Sequence, residues 1–304
     1  MSLASLGLVD LEQSPRLLLE APLRPTLGQR FRPAGFPDIG PVVYTDSAGV
    51  DRLLVESEQS IANHLEATLW EPRQNVLKSD VEGLSYVRVV DDTGAFITST
   101  LLEPHRLDSP RVLKAGAARD KLESELGDDL DRRRLPRALF GLDVASLVHG
   151  VFLQSVAGHL RVPRALGGFI EAAGVTAVAS GGVKLDHRAA RGRGNPVLFH
   201  REDFVAESIR AYFSLDLAQI RGYGLERDET DVIILVALYE VAALLESPLR
   251  LRSGCDLELA GPVSARPPQA QLPASADVAS ALAERLPRPG MAVTEVRSPK
   301  TRKR

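Results

Sequence analysis

The residues best equipped for chemistry lie between positions 181 and 201. There Lys184, Arg188, Arg191, Arg193 and Arg201 stand against the single acid Asp186, and His187 and His200 can add charge. Arg and Lys attract phosphate, Gly lets a backbone approach closely, and the Tyr of Arg221-Gly222-Tyr223-Gly224 can stack on a base. That combination fits single-stranded nucleic acid; a solvated loop is the plainer alternative. Enzymatic signatures are poor. Ser180-Gly181-Gly182-Val183-Lys184 has too few residues between its glycines and its lysine for a Walker loop, and Leu185 follows where Ser or Thr is needed. Arg191-Gly192-Arg193-Gly194 lacks the third glycine of a dinucleotide fingerprint. The six histidines form no HExxH pair and have no cysteine partners for zinc. Glu56, Glu58, Asp91 and Asp92 could assemble a two-metal nuclease site, but they read more simply as first-turn helix acids and turn formers. No catalytic residue, metal ligand or cofactor site is assigned.

Composition sets the frame for these residues. The 304 residues carry 37 Lys+Arg against 40 Asp+Glu, with 44% apolar and 25% charged residues, an ordinary globular balance. A chain of this length can bury about three quarters of its extended surface. The single Cys255 excludes an internal disulfide framework and a cysteine zinc site, so a reducing, cytoplasmic location is expected. No basic region precedes the first leucines, and the longest apolar run, 232–239, is too short for a bilayer, so neither secretion nor membrane insertion is expected. Near-neutral charge makes the whole surface a poor polyelectrolyte sink, and the charge is segregated: residues 123–131 hold five carboxylates, while the last eight residues hold five basic side chains and no acid.

The elements that must position the basic segment follow from periodicity. Residues 1–40, rich in Pro with Arg24, Arg30 and Arg32 interleaved, read as an irregular lead-in. Residues 53–55 form a short buried strand, and Ser57 caps a helix whose Ile61, Leu65 and Leu69 leave Gln59, Asn63 and Glu66 on another face. Runs 84–90 and 95–101 flank Asp91-Asp92-Thr93-Gly94 as a hairpin. Val144, Leu147, Val148, Val151 and Phe152 give an amphipathic helix, and Pro163 opens another that carries Leu166, Phe169 and Ile170 inward to about Gly174. Ser180-Gly181-Gly182 then releases the chain into an exposed, mobile loop over 186–196. Residues 209–217 alternate as a half-buried strand, and a mostly buried helix runs from Asp228 or Thr230 to about Glu246. Strand, helix, hairpin, helix, strand is the ferredoxin-like order, an α+β fold enlarged by insertions. The domain reading is a lead-in over 1–40, one domain over 41–260, and a Pro-rich, basic appendage over 261–304. The same architecture hosts RNA-recognition modules and unrelated enzymes.

Four strings carry a more specific signal: 54–66 (LVESEQSIANHLE), 142–152 (LDVASLVHGVF), 179–187 (ASGGVKLDH) and 215–224 (LDLAQIRGYG). Together they resemble one family, the RAMP-type backbone subunit of the type I-U, now I-G, CRISPR Cascade complex. The resemblance covers roughly residues 40–260. It implies an RRM-like palm with inserted thumb and finger elements, copies stacked head to tail along CRISPR RNA, and no catalysis by this subunit. It carries RNA binding to Lys184, His187 and Arg221, and also to Gln59 and Asn63; Arg188, Arg191 and Arg193 join them from the basic segment. Implied partners are CRISPR RNA, target DNA, further copies of the chain, and the large and RNA-processing or capping Cascade subunits. The runner-up is an RNA-processing endonuclease of the same superfamily. The acidic stretch 123–131 and the basic stretch 181–201 could meet between copies, since a filament needs two different complementary surfaces on each subunit.

Overall fold

Alternating apolar and polar residues build the centre of the molecule. The computed structural model describes residues 11, 13–36, 39–113, 116–127, 131–154, 156, 160–186 and 195–298, with backbone alone for 36, 180–186 and 195–201. Strand β1 (Arg16–Pro25) buries Leu17, Leu19, Ala21 and Leu23 while Leu18, Glu20 and Pro22 stay half-exposed. Strand β13 (Asn195–Asp216) buries Ile209, Ala211, Phe213 and Leu215, and β12 (Leu166–Asp186) buries Leu166, Ile170 and Ala172. The three run antiparallel with Leu19 opposite Phe213 and Ala211 opposite both Ala21 and Ile170, so their apolar side chains share one face.

Around them lie β4 (Val43–Thr45), β5 (Asp51–Glu56), β14 (Leu249–Arg252), β15 (Cys255–Leu259) and β16 (Ser264–Arg266), giving an eight-stranded sheet ordered β14-β15-β1-β13-β12-β5-β4 with β16 also on β1. Every pairing in it is antiparallel. Helix α1 (Glu58–Ala67) packs on β12, and α6 (Leu217–Gly222) packs on β1. Helix α7 (Arg227–Leu245) is buried at every position from Val232 to Ala242, which requires partners all round. It has them in α1, α5 (Ala145–His149), α6 and α8 (Ser275–Ala283).

A second sheet joins β8 (Tyr86–Val90) antiparallel to β9 (Phe96–Ser99) and parallel to β17 (Val293–Arg297). Helices α2 (Pro110–Leu113), α3 (Ala117–Leu126) and α4 (Leu135–Leu142) pack near it. Three small hairpins complete the described elements: β2 (Gly35–Phe36) with β3 (Gly40–Pro41), β6 (Trp70–Glu71) with β7 (Val76–Leu77), and β10 (Val151–Leu153) with β11 (Leu160–Val162). One hydrophobic cluster runs through both larger sheets and α7.

Several expectations are met and several are corrected. The strand before Ser57, its helix, the 84–101 hairpin and the alternating strand ending at Asp216 all form. The supposed lead-in instead contains β1, the strand between β13 and the β15–β16 edge. Its Pro22 is tolerated because the outer ladder changes there, Leu23 pairing with Leu259 and Glu20 with Ser264. The helix expected after Pro163 is β12: Leu166, Ile170 and Ala172 follow period two, and Gly167-Gly168 disfavours a helix. The helix expected over 143–152 stops at His149, because Gly150 takes φ +76° and turns the chain into β10.

The ends of the expected loop over 186–196 are strand. β12 and β13 stay paired to Asp186 opposite Asn195, and residues 187–194 lie outside the described residues. The 84–101 hairpin lies in the second sheet, so the elements first chosen for the ferredoxin-like order do not share a sheet. Residues 262–298 are no appendage, since α8, with Val278, Ala281 and Leu282 buried, packs on α7 and β17 completes the second sheet.

Close approach of β12 to β13 depends on Gly168: a Cβ there would meet Phe213 Cδ1 at 2.7 Å and the Tyr212 carbonyl at 2.8 Å. Gly168→Ala is expected to destabilise the fold by about 1–3 kcal/mol through overpacking, measured by urea unfolding.

Candidate nucleic-acid interface

Three local devices meet beside the first turn of α1. The Ser57 hydroxyl caps the helix by accepting the Ser60 N–H at 3.4 Å, which leaves Gln59 and Asn63 one turn apart on the exposed side, joined by a 3.3 Å amide hydrogen bond. Gly150 turns the chain into β10, which pairs with β11 so that Phe152 lies directly across from Arg161, both exposed. Arg164, just before β12, donates to the carbonyls of His149 (3.4 Å) and Glu58 (3.0 Å) and to Gln59 Oε1 (3.0 Å). Between these parts and the 104–108 turn opens a cleft of about 430 Å³, lined among others by Gln59, His105, Asp108, His149, Phe152, Arg161 and Arg164.

The electrostatics of the cleft favour an anion. All three hydrogen-bond acceptors of Arg164 are neutral oxygens; burial together with repulsion from Arg106 lowers its pKa, while the nearby Glu66 and Glu58 carboxylates act the other way. Among the described residues that line the cleft Asp108 is the one carboxylate; it accepts the Gln154 N–H at 3.1 Å, and partial burial raises its pKa. Beneath, the buried Arg106 holds buried Glu66 through two bonds of 2.6 and 2.7 Å. The fully buried His149 has Nε2 at 3.0 Å from both carboxyl oxygens of the fully buried Glu240 on α7. Burial lowers the His149 pKa to about 4 and raises that of Glu240 well above the carboxylate range. Asp143, also raised by burial, accepts the hydroxyls of Thr100 (3.0 Å) and Ser146 (2.5 Å).

The sequence-derived residues are only partly gathered here. Gln59 lines the cleft and Asn63 sits one turn away. Lys184 lies in β12 opposite Val197, its side chain outside the described residues, as are His187, Arg188, Arg191 and Arg193. Arg221 is elsewhere, on α6. It donates to the Leu11 carbonyl (3.1 Å) and the Ser14 carbonyl (2.6 Å), again neutral acceptors. Tyr223, read as a base-stacking residue, is mostly committed to structure: its hydroxyl accepts from Gln219 at 2.7 Å and donates to the Leu147 carbonyl at 2.8 Å, and burial pushes its pKa up to about 12.

Of the carboxylates weighed for metal, Glu56 pairs with Arg252, and Asp91 caps its own turn through Thr93 and Ala95. Among the described residues no group of three His, Cys, Asp or Glu is placed to hold a metal ion, and no helix is long and apolar enough to cross a membrane. In the acidic stretch, Glu123 pairs with Arg119 and Asp131 with Arg133. Sequence reasoning missed Phe152, Arg161 and Arg164 because Phe152 fits a helical period. Gly150 and Pro163 bracket Phe152 and Arg161 and were the available signal for a hairpin, with Arg164 directly after it.

The model of one protein family, described as CRISPR-associated protein GSU0053, matches residues 17–177, more than half of the chain. The chain belongs to this CRISPR-associated family. Its matched stretch begins in β1, includes α1 and the whole cleft, and ends within β12. No curated protein matches the sequence. Solved structures similar to this family member include one described as a CRISPR RNA-guided surveillance complex, pre-nicking, at 15% identity, covering 80% of this chain and 73% of that one with a TM-score of 0.42. Another is the crystal structure of Thermofilum pendens Csc2, at 14% identity, 90% and 75% coverage and a TM-score of 0.34. A third, a CRISPR RNA-guided surveillance complex, has 14% identity, 80% and 66% coverage and a TM-score of 0.35.

Arg106 and Glu66 form the support for the cleft floor. Arg106→Leu leaves Glu66 buried and unpaired and is expected to cost about 3–5 kcal/mol in urea unfolding, whereas the double variant with Glu66→Leu should recover most of that loss.

Proposed function

We propose that this chain is a non-catalytic backbone subunit of a type I-U/I-G CRISPR Cascade complex, coating CRISPR RNA as a head-to-tail filament and presenting its bases to target DNA. The observation that carries the reading is the CRISPR-associated family match over residues 17–177. The main sheet supports it: β1, then α1, the β12–β13 hairpin, α7 and β15 follow the strand, helix, hairpin, helix, strand order, with neighbours β15-β1-β13-β12. We read that part as an RRM-like palm and the outer β12–β13 arms as an inserted thumb or finger. Lys184, His187, Arg188, Arg191 and Arg193 would then meet RNA phosphates from the arms, Gln59 and Asn63 from the palm, and Arg221 through its uncancelled charge. Further partners are the large and RNA-processing or capping subunits, in the cytoplasm.

A heterologous contact propagates until its template ends. Mixed with its partner subunits and guide RNAs of increasing length, the chain should give complexes whose mass rises in steps of one subunit. A fixed oligomer at every length would contradict the filament, and a discrete product from repeat RNA incubated with the chain alone would favour the endonuclease alternative.

A further inference from the structure

We propose that copies of this chain meet through a trough on the outer face of the main sheet, which receives the Leu27 tip of the next copy. The inference rests on the filament reading and deepens it by naming the two different surfaces that each copy must carry.

The strand registers build the trough. Gly167, Ser214, Leu18 and Arg266 lie side by side across β12, β13, β1 and β16, and the next row on the same face is Phe169, Tyr212, Glu20 and Ser264. The second row is a wall: the Phe169 and Tyr212 rings stack with centroids 5.1 Å apart, and Glu20 pairs with Arg210. The first row is low, because Gly167 has no side chain and a Cβ there would meet only Arg164 Cδ at 3.9 Å. The result is a cavity of about 370 Å³ with an apolar floor, Glu58 at its β12 end and Arg266 at its β16 end. Both charges are exposed and in no ion pair among the described residues, Glu58 having a longer-range attraction to Arg164.

The complement sits at the other end of β1. There the turn over 26–30 holds out Leu27, which at 89% is the most exposed large apolar side chain among the described residues. Arg30 beside it is exposed and in no ion pair among the described residues. The tip also has an acid next to it: the Thr26 N–H donates to the Asp256 carbonyl at 3.0 Å, and the Asp256 carboxylate stands 3.8 Å from Arg250.

The charges run in matching order. Arg30 precedes Phe31, which pairs with Phe204 of β13, whereas Asp256 belongs to β15, on the far side of β1 where β16 also lies. A neighbour displaced along β1 therefore brings Arg30 toward Glu58 and Asp256 toward Arg266, with Leu27 over the apolar floor. The chain itself supplies an anchor and two charges in the order the trough presents them, and for that reason the occupant is a second copy. From Leu18 to Pro25 the strand spans about 23 Å, so one copy cannot fill its own trough, and the contact is heterologous.

The test uses the full chain with its partner subunits and a guide RNA long enough for several copies. Leu18→Cys and Leu27→Cys chains, mixed and treated with a thiol oxidant, should give a disulfide-linked pair containing one of each, and neither variant alone should do so, since Cys255 is buried. Leu27→Ala should raise the subunit concentration that fills the RNA about tenfold, relative to its affinity for an RNA that holds one copy. Glu58→Lys and Arg30→Glu should each weaken filling in the same way, and the double variant, which restores an opposite pair in every contact, should assemble like the parent. All these positions but Leu18 are exposed, so the melting transitions of the Leu27, Glu58 and Arg30 variants should stay in place. Parent-like assembly by Leu27→Ala and by both charge reversals, with no mixed disulfide, would overturn the interface and leave the filament reading intact. A Leu18→Cys chain that crosslinks to another Cascade subunit and not to Leu27→Cys gives the trough a different occupant and also overturns it. Parent complexes of one fixed mass at every RNA length would overturn the filament reading itself, and this inference with it.

Discussion

Strand β13 is hydrogen-bonded on both sides, to β1 from Ile209 to Asp216 and to β12 from Asn195 to Leu215, and the rest of the molecule hangs on that double ladder. Its inward residues Ala211, Phe213 and Leu215 set the floor on which the helices pack. The end of the ladder is pinned as well: Asp216 N–H donates to the Ala165 carbonyl at 2.8 Å, and Ala165 N–H to the Val148 carbonyl at 2.9 Å. These bonds tie the residue after Arg164 to α5, so the guanidinium that joins the α1 first turn to the cleft is placed by backbone pairing. Long side chains lose much rotamer entropy on ordering, and an arginine held at three acceptors has already lost it before any ligand arrives.

Below the cleft the molecule accepts an energetic cost. Glu240 sits inside a helix whose other central residues are apolar, and Glu66, Arg106, Asp143 and His149 are buried beside it. A hydrophobic replacement of such a set is often neutral or stabilising, so retained buried charges call for a reason beyond stability. Here they join four elements: α1, the 106–108 turn, α5 and α7. The same set leaves one donor, His149 Nδ1, unused within the described residues. The network thereby fixes the floor beneath the cleft.

Much of this was legible in the sequence where one period ruled. Ile209 to Leu217 could be read as a strand because polar residues separate every apolar one, and Ser57 announced α1 because a hydroxyl precedes an apolar stripe. β1 has the same alternation at Leu17, Leu19, Ala21 and Leu23, yet Pro22 and the consecutive leucines disguised it. Only the change of edge partner from β15 to β16 explains why proline is allowed there. Residues 144–152 and 163–170 failed differently: short apolar runs fit both periods, and two glycine positions decided them, Gly150 by its positive φ and Gly168 by its contact with Phe213. For the site, residue type pointed to phosphate chemistry, but the partners of Arg164 come from α1 and α5, distant in sequence, and no local pattern could bring them together.

The central claim is that guide RNA runs over the cleft and the outer β12–β13 arms of each copy. Ultraviolet crosslinking of the assembled complex, followed by mass spectrometry of RNA-bound peptides, addresses it most directly. Crosslinks should fall on the peptide carrying Phe152 and Arg161 and on the one carrying Lys184 to Arg193. Crosslinks confined to other surfaces, with both of those peptides recovered free of RNA, would contradict it.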